Sequence, residues 1–487
     1  MIRLIYWAGF ISYSLFVIYV GWRGYKRSRH TSDLDVDFWA AGKSLNPWAT
    51  GLSISASFMS ISWSCVYDVQ LFYWYGLSAL WLLAIPWLLA MLGFYVLTPY
   101  FRKLPAFSQP EMLAQRFGQK VRSYFTWPLA FVFLVWGGAE IFAAAQILSP
   151  ILGVSFHLVL ALIAFVVAVY SFMGGFAAVV TTDKVQYVLV AFFTVAIAYI
   201  AGKAVLAQDT VTNILSHLPS PAKTSVSALT FLATGPALIV LTLVAYLPGW
   251  LVETDIWLRL QAAQDTPSAR KGVVIASINS VMFIALLPML IGLAALYLYP
   301  PIGTDIPADL KDGAAIFAVL MRDYAPTVLN VILIVGLAAA SMSTIDTCGN
   351  VVALSLSYDL LEPVLAKRKK QLDRRLVARY MSAGAIVLAY IYAIFTESLW
   401  DIFYLSSGIL TTTIFIPMMA IFLPNAKTRQ VQAAAVAGFL GTLLSYFMES
   451  KGLFAVIEPD WIAGTGLGYI LFGLAASTLT FLISKKH

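Results

Sequence analysis

The chain has 487 residues, of which 60% are hydrophobic and only 11% charged, and its formal net charge is +7. A soluble protein carries about 25% charged residues, so this composition excludes an ordinary soluble domain. The cations are dispersed among short polar loops, and we therefore expect no nucleic-acid partner. The two cysteines, Cys65 and Cys348, lie in separate apolar segments and are expected to be packing residues, not a disulfide pair.

Many segments are continuously apolar over the roughly 20 residues that a helix needs to cross a bilayer. Continuous rather than alternating hydrophobicity indicates helices, not membrane strands. The sequence therefore predicts an all-α polytopic membrane protein with thirteen transmembrane helices. In chain order these are Leu4–Trp22, Pro47–Phe72, Leu77–Tyr100, Val121–Leu148, Phe156–Phe176, Asp183–Leu206, Phe231–Trp257, Val273–Tyr299, Thr327–Tyr358, Leu376–Phe395, Leu399–Leu423, Val431–Met448 and Ala463–Ile483.

The orientation follows from Lys and Arg, which favour cytoplasmic loops. With the N-terminus outside and the C-terminus in the cytoplasm, six of the 31 Lys and Arg residues would face outward: Arg3, Lys203, Lys223, Lys311, Arg322 and Lys451. We predict this orientation in the cell (inner) membrane. The basic run from Lys367 to Arg379 is interpreted as a topology determinant, with an anionic-lipid site as the alternative.

Two predicted spans have features that interrupt a helix. Pro47–Phe72 contains a Gly and six serines, and Phe231–Trp257 contains Pro248-Gly249 followed by Glu253 and Asp255. Proline removes a backbone donor and glycine relaxes the chain, so the freed carbonyls need partners, and a bound cation is one of them. Interrupted segments at corresponding positions, here five spans apart, are typical of a transporter site between two inverted repeats.

The ninth span carries a polar face within Gly336–Asp359. Ala340, Ser343, Thr344 and Thr347 recur at helical spacing, and Asp346 forms an overlapping cluster with Ser343 and Thr347. Hydroxyl and carboxylate oxygens are the ligands that small, hard cations prefer. Small and hydroxylated residues also pack membrane helices together, an alternative that this span alone leaves open.

Acidic side chains lie at several membrane depths. Placing a charged side chain at the centre of a membrane helix costs about 2.5–3.5 kcal/mol on insertion scales, so each of these acids is a candidate functional residue. Asp183 and Arg259 are predicted near the cytoplasmic interface, where the cost is smaller. Four acids have no evident partner and are expected to be protonated or to face a wet cavity or a cationic ligand: Asp68, Glu140, Glu253 and Asp255. The sequence contains no metalloprotease, phosphate-loop or serine-nucleophile motif, so we expect no enzyme.

Four stretches resemble the sodium/solute symporter family, which includes bacterial proline, sialic acid, pantothenate and sugar symporters. They are DFWAAGKSLNPWATGLSISASFMS, SFMGGFAAVVTTDKVQ, PGWLVETDIWLRLQAAQD and AASMSTIDTCGNVVALSLSYDL. The resemblance covers nearly the whole chain and implies one transporter domain, 1–487, of the LeuT type. It implies 5+5 inverted repeats with discontinuous core helices: an extra helix at 4–22, repeats at 47–206 and 231–423, and two C-terminal helices at 431–483. We expect a monomer in the lipid bilayer.

The resemblance also implies where Na⁺ binds. The common sodium site would use the carbonyl groups of Ala56, Met59 and Ala340 and the hydroxyl groups of Ser343 and Thr344. A possible second cation site maps to Asp183, Ser343, Asp346 and Thr347. Asp346 replaces a hydroxyl of the sialic acid transporters, so it could strengthen cation binding or carry a proton. A bond from Asp346 to Lys184 or Gln186 is the structural alternative.

Substrate positions are implied between the broken helices: Ser60, Trp63, Ser64, Gln70, Tyr73, Glu140, Gln146, Trp250, Glu253 and Asp255. Sugar-transporting relatives carry amides at the positions of Trp63 and Glu253, which argues against a sugar. The excess of acids favours a cationic nitrogen, as in an amino acid, amine or polyamine. Our hypothesis is a sodium-coupled secondary active symporter that imports a small polar, nitrogen-containing solute. The alternatives are a proton-coupled symporter of the same fold and a solute sensor with a separate signalling partner.

Overall fold

The computed structural model describes residues 2–28, 43–104, 106, 108–367, 374–453 and 458–484. Residues 37–42 of the first family motif and 368–373 of the basic run lie outside this range, as do the side chains of residues 174–181 in the second motif. Within the described range, regular structure is helical apart from two isolated β-bridges, Leu45 with Ala263 and Ile302 with Asp305.

The α-helices of the first half are α1 (Ile2–Ser28), α2 (Pro47–Phe58), α3 (Asp68–Tyr75), α4 (Ala84–Phe101), α5 (Gln109–Phe117), α6 (Gln119–Leu152), α7 (Phe156–Leu206) and α8 (Val211–Ser216). The second half contains α9 (Gly235–Trp250), α10 (Thr254–Ala262), α11 (Thr266–Ser280), α12 (Leu287–Leu298), α13 (Ile316–Tyr324), α14 (Thr327–Ala353), α15 (Glu362–Lys367), α16 (Arg374–Ile394), α17 (Leu399–Ile409), α18 (Ile416–Met419), α19 (Thr428–Ser450) and α20 (Gly468–Ile483). Short π-helical segments join several of them: Ile61–Tyr67, Val281–Leu286, Leu354–Leu361 and Leu410–Phe415. Three 3₁₀ turns complete the set: Gly76–Trp81, Ala308–Leu310 and Ala420–Phe422.

Ten helical stretches in the described residues are long and apolar enough to cross a membrane, or eleven if the bent pair α9 and α10 counts as one span. The other two predicted spans correspond to the broken segment from Pro47 to Tyr75 and to α20, which has 16 residues. The all-helical, multi-pass architecture is confirmed. The number thirteen, the repeat boundaries and the orientation of the termini stay predictions.

The first interruption lies at Met59 and Ser60. Asn46 caps the start of α2 by accepting a hydrogen bond from the Ala49 N–H at 2.8 Å, and Pro47 occupies the first turn. Ser60 is extended (φ −91°, ψ 159°), and its hydroxyl accepts from the Trp63 N–H at 2.9 Å. A serine that caps the next helical segment therefore turns the chain out of one helix and into another.

The second interruption lies later than the sequence predicted. Pro248 and Gly249 are still inside α9, and the chain leaves the helix at Leu251–Glu253 before α10 starts, with a bend of 41°. Gly249 serves close packing, because an added Cβ would lie 2.9 Å from the Ser407 carbonyl oxygen. Glu253 is thus the last residue of the break, directly before α10.

Helix α14 is at the middle of the molecule. It packs against α1, α6, α7 and α16, and it contacts α2 as well. Nearly every residue from Leu333 to Ala353 is buried. The polar face predicted on this helix is therefore enclosed by protein, opposite the end of α2.

Candidate transport site

A cavity of about 60 Å³ lies between the two helix breaks. Its walls come from the end of α2, the π-helical segment after it, the break between α9 and α10, and helices α4, α6, α14 and α17. The lining residues are Ser57, Phe58, Ser60, Ser62, Trp63, Trp87, Trp136, Trp250, Glu253, Asp255, Ile256, Thr344, Phe403 and Ser407.

Indole rings form much of this wall. Trp63, Trp87 and Trp250 are in mutual edge-to-face contact, with ring centroids 4.9, 5.6 and 5.3 Å apart. Trp136 reaches the cavity from α6, where its N–H donates to the Ser406 hydroxyl at 2.7 Å, and Phe403 reaches it from α17. Edge-to-face pairs are favoured by the ring quadrupole, so the wall is ordered before any solute enters.

An aromatic stack continues from Trp250 towards the predicted outer surface. Tyr246 stacks on Trp250 at 4.5 Å and on Tyr404 at 4.7 Å, and its hydroxyl lies 3.3 Å from that of Tyr67. All four side chains are buried. These buried rings extend the aromatic wall beyond the cavity.

Two carboxyl groups face the cavity. Glu253 and Asp255 are 8% and 3% exposed. The Ser57 hydroxyl donates to one Asp255 oxygen, whereas the other Asp255 oxygen and Oε2 of Glu253 are buried without a hydrogen-bond partner. Buried carboxylate oxygens without partners are costly, so they are suited to receive a ligand.

Glu140 has a different position. Its two carboxylate oxygens accept hydrogen bonds from the backbone N–H groups of Ile61 and Ser62, at 2.7 and 2.9 Å. These N–H groups begin the π-helical segment after the break, where the helix dipole favours negative charge. Glu140 thus fills an anion-binding helix terminus, and it is not among the residues that line the cavity.

Thr344 of the predicted sodium site lies where α2 ends against α14. Its hydroxyl is 3.4 Å from the Ser57 carbonyl oxygen and 3.5 Å from that of Ala340, and Ala56 and Met59 are buried at the end of α2. Carbonyl groups in the last turn of a helix lack intrahelical partners and carry the negative end of the dipole. Carbonyl and hydroxyl oxygens of this kind suit a small, hard cation.

The predicted second cation site contains a guanidinium group. Ser343 donates to Asp183 at 3.0 Å, but Arg259 lies 3.3 Å from Asp183 and donates to the Thr347 hydroxyl at 3.0 Å. Arg259 also lies 3.6 Å from Asp255. The side chains of Asp183 and Arg259 are both fully buried in protein, and their predicted position near the cytoplasmic interface stays a prediction.

Asp346 points to another neighbour. Its Oδ2 accepts from the Tyr170 hydroxyl at 2.7 Å, and its Oδ1 is buried without a partner. Lys184 is exposed, and the side-chain amide atoms of Gln186 are without partners. The alternative partners considered from the sequence are therefore not the ones observed.

A profile of the sodium:solute symporter family matches residues 38–443 of this sequence. The chain belongs to the sodium:solute symporter family. A sodium/proline symporter of Staphylococcus aureus is 24% identical over 392 residues, which cover 78% of this chain and 72% of the relative. The resemblance stated from the motifs is confirmed.

Two solved transporters share the fold. A Na⁺-coupled sialic acid symporter, solved in a substrate-bound, outward-open state, superposes with a TM-score of 0.76 at 18% identity, covering 99% of this chain and 98% of that one. A nucleobase-cation-symport-1 family transporter, in a closed conformation with bromovinylhydantoin bound, gives a TM-score of 0.55 at 12% identity, covering 91% and 94%. Membership of the sodium:solute symporter family supports Na⁺-coupled symport of a small-molecule solute, and the protein is a transporter, not an enzyme.

In this symporter, five of the ten predicted substrate residues line the cavity: Ser60, Trp63, Trp250, Glu253 and Asp255. The others make protein contacts. Ser64 donates to the Ser60 carbonyl, Gln70 to that of Asp312 and Tyr73 to that of Tyr299, while Gln146 accepts from Lys311 and Glu140 caps the helix start.

Sequence reasoning missed several residues of the site. Trp87, Trp136, Phe403 and Ser407 line the cavity, although each looks like an ordinary packing residue in its span. Gln109 on α5 also matters, because its amide donates to the Val252 carbonyl at 3.2 Å and accepts from the Thr254 hydroxyl at 2.7 Å. It holds the turn that carries Glu253. Only Trp136 gave a signal, since it stands four residues before Glu140 in VWGGAE.

Proposed function

We propose that this protein is a Na⁺-coupled secondary active symporter that imports a small polar, nitrogen-containing solute by alternating access. One observation carries the proposal: Thr344 lines the cavity and also lies 3.4 Å from the Ser57 carbonyl at the end of α2. Thr344 therefore belongs both to the proposed Na⁺ ligands, which are Ala56, Met59, Ala340, Ser343 and Thr344, and to the wall of the proposed solute site. Binding at either site therefore affects how well the residues of the other site are ordered.

The proposed coupling is electrostatic and mechanical. A Na⁺ ion at this junction would hold α2 against α14, and its release would let the two helices separate on the cytoplasmic side. Inward movement of one positive charge gains about 2.3 kcal/mol per 100 mV of membrane potential. Linkage requires that Na⁺ and solute raise each other's affinity by the same factor.

We propose that the Thr344 hydroxyl is a Na⁺ ligand and expect Thr344→Val to weaken Na⁺ activation of uptake by about 10- to 100-fold, because a bond to a charged group contributes about 1.5–3 kcal/mol. Thr344→Ser keeps the hydroxyl and should retain Na⁺ activation. Ser341→Ala is the control, since Ser341 lies on the same helix and donates to the Ala338 carbonyl of its own turn. The measurement is the Na⁺ dependence of radiolabelled solute uptake into proteoliposomes. Equal Na⁺ dependence in Thr344→Val and wild type would remove Thr344 from the site.

Proton coupling is the alternative, favoured by the partnerless Oδ1 of Asp346. We expect an inward Na⁺ gradient to drive uptake at constant pH and a pH gradient without Na⁺ to drive none. Asp346→Asn should keep Na⁺-driven uptake. Uptake driven by the pH gradient alone, and lost in Asp346→Asn, would replace the Na⁺ mechanism with a proton mechanism.

A further inference from the structure

We propose that the cavity selects a compact organic cation, an amine or quaternary ammonium group, and rejects the carboxylated counterpart of the same molecule. This inference rests on the proposed function and narrows its solute class. It excludes amino acids, which the sequence left open together with amines. Three separate features carry it: aromatic walls, two carboxyl oxygens without a hydrogen-bond partner, and a helix start next to the cavity that Glu140 already fills.

Aromatic rings form much of the cavity wall. Four tryptophans and two phenylalanines line a cavity of only about 60 Å³, and they come from six different helical elements. A cation within about 6 Å of an indole face is attracted by the ring quadrupole, most strongly where water is excluded. Trp63 and Trp136 are the half-buried members of this wall.

The charged residues that line the cavity are acidic. Its lining contains two acids, Glu253 and Asp255, and among the described residues no Lys, Arg or His. Arg259 approaches Asp255 from outside the lining, at the oxygen that also receives the Ser57 hydroxyl. The second Asp255 oxygen and Oε2 of Glu253 keep their hydrogen-bonding capacity. A cationic nitrogen satisfies both oxygens, whereas an anionic solute would be repelled by them.

The third feature concerns where a carboxylate could bind. In broken-helix transporters, the N-terminus of a half-helix is the natural position for an anionic group of the substrate. Here the carboxylate of Glu140 already accepts from both Ile61 and Ser62, and its side chain is fully buried. A solute carboxylate would have to displace this group. The protein has therefore supplied its own anion at the position that an amino acid would use.

Another use of the acids must be distinguished by experiment. Thr344 also lines the cavity, so Glu253 and Asp255 could serve Na⁺ and not the solute. The two roles predict different affinities for an uncharged isostere of the solute. If the acids bind a solute nitrogen, a solute in which carbon replaces that nitrogen binds with an affinity that does not depend on Glu253. If they bind Na⁺, a Glu253 substitution lowers the affinity for every solute by the same factor.

The test uses the purified full-length protein in detergent with saturating Na⁺, and two compact pairs that differ by a carboxylate. These are choline with glycine betaine and pyrrolidine with proline. Isothermal titration is expected to show binding of the amine member about 10-fold or more tighter in at least one pair. The uncharged isostere of choline, 3,3-dimethylbutan-1-ol, should bind more weakly than choline by about the same factor. Equal or tighter binding of the carboxylated members overturns the inference.

Glu253→Gln provides the residue-level test. It should weaken binding of the preferred amine by about 10-fold or more while leaving the uncharged isostere unchanged. Glu449→Gln is the matched control, because Glu449 accepts from the Tyr469 N–H on helices that do not line the cavity. Equal weakening of amine and isostere, together with weaker Na⁺ binding, would assign Glu253 to Na⁺ and overturn the inference.

The outcome separates this inference from the proposed function. Na⁺-dependent binding of a sugar, a monocarboxylate or a carboxylated pair member, in the absence of amine binding, overturns the inference and leaves symport intact. Amine binding that is identical with Na⁺ and with K⁺ supports the inference and contradicts the Na⁺ coupling. Binding of no amine, amino acid, sugar or monocarboxylate overturns both.

Discussion

Arg259→Met is expected to abolish Na⁺-driven uptake and to destabilise the protein by about 3–5 kcal/mol, the cost of removing one partner of a buried ion pair. Arg259 is fully buried and is paired with Asp183 at 3.3 Å and Asp255 at 3.6 Å. It also donates to Ser53 on α2 and Thr347 on α14. Its removal leaves two carboxyl groups without their counter-charge and separates three helices that surround the site.

Thermal unfolding in detergent and uptake into proteoliposomes measure this effect. Arg322→Met is the matched control, because Arg322 pairs with Asp309 and Asp323 on the surface, where such pairs contribute about 0–1 kcal/mol. The double variant Arg259→Met/Asp183→Asn should recover part of the lost stability, since the charge left unpaired is also removed. An Arg259→Met protein as stable and active as Arg322→Met would show that the buried cluster has no such role.

Glu140→Ala is expected to abolish substrate binding, because the start of the helix after the first break loses both acceptors. Each hydrogen bond to a charged group contributes about 1.5–3 kcal/mol, so the loss of two, about 3–6 kcal/mol, would weaken a micromolar affinity of about −8 kcal/mol towards the millimolar range. Glu140→Gln keeps one acceptor without the charge and should give an intermediate loss. Trp63 follows directly on this helix start, so its ring is expected to lose its position in the wall.

Isothermal titration of the preferred solute against Glu140→Ala and Glu140→Gln measures the effect. Glu449→Ala is the control for a carboxylate that caps a helix start elsewhere, since the half-buried Glu449 accepts from the Tyr469 N–H at 3.0 Å. It should lower the unfolding temperature and leave solute affinity unchanged. Unchanged solute affinity in Glu140→Ala would contradict the positioning role of Glu140.

Local patterns were enough to predict some parts of the site. Serine, glycine and proline in Pro47–Phe72 predicted the first break, because capping and helix interruption depend on neighbouring residues. The spacing of Ala340, Ser343 and Thr344 predicted the polar face of α14, because helical periodicity is fixed. Both features depend only on residues within a few turns of one another.

Distant pairings could not be predicted in the same way. Glu140 meets Ile61 across 79 residues, and Arg259 meets Asp183 across 76, so their partners depend on how helices pack. The break assigned to Pro248-Gly249 lies at Leu251–Glu253, because Gly249 serves contact with α17 and not flexibility. Gln70 was predicted in the site, but α3 carries it out to the Asp312 carbonyl.

Na⁺ coupling is tested most directly by measuring how Na⁺ and the solute change each other's affinity in the wild-type protein and in Thr344→Val. Titrations give solute affinity at zero and saturating Na⁺, and Na⁺ affinity at zero and saturating solute. Na⁺ coupling through Thr344 predicts that both affinities rise by one common factor, about 5- to 150-fold for typical coupling energies, and that this factor falls towards one in Thr344→Val. A wild-type solute affinity that is the same with and without Na⁺ would contradict it.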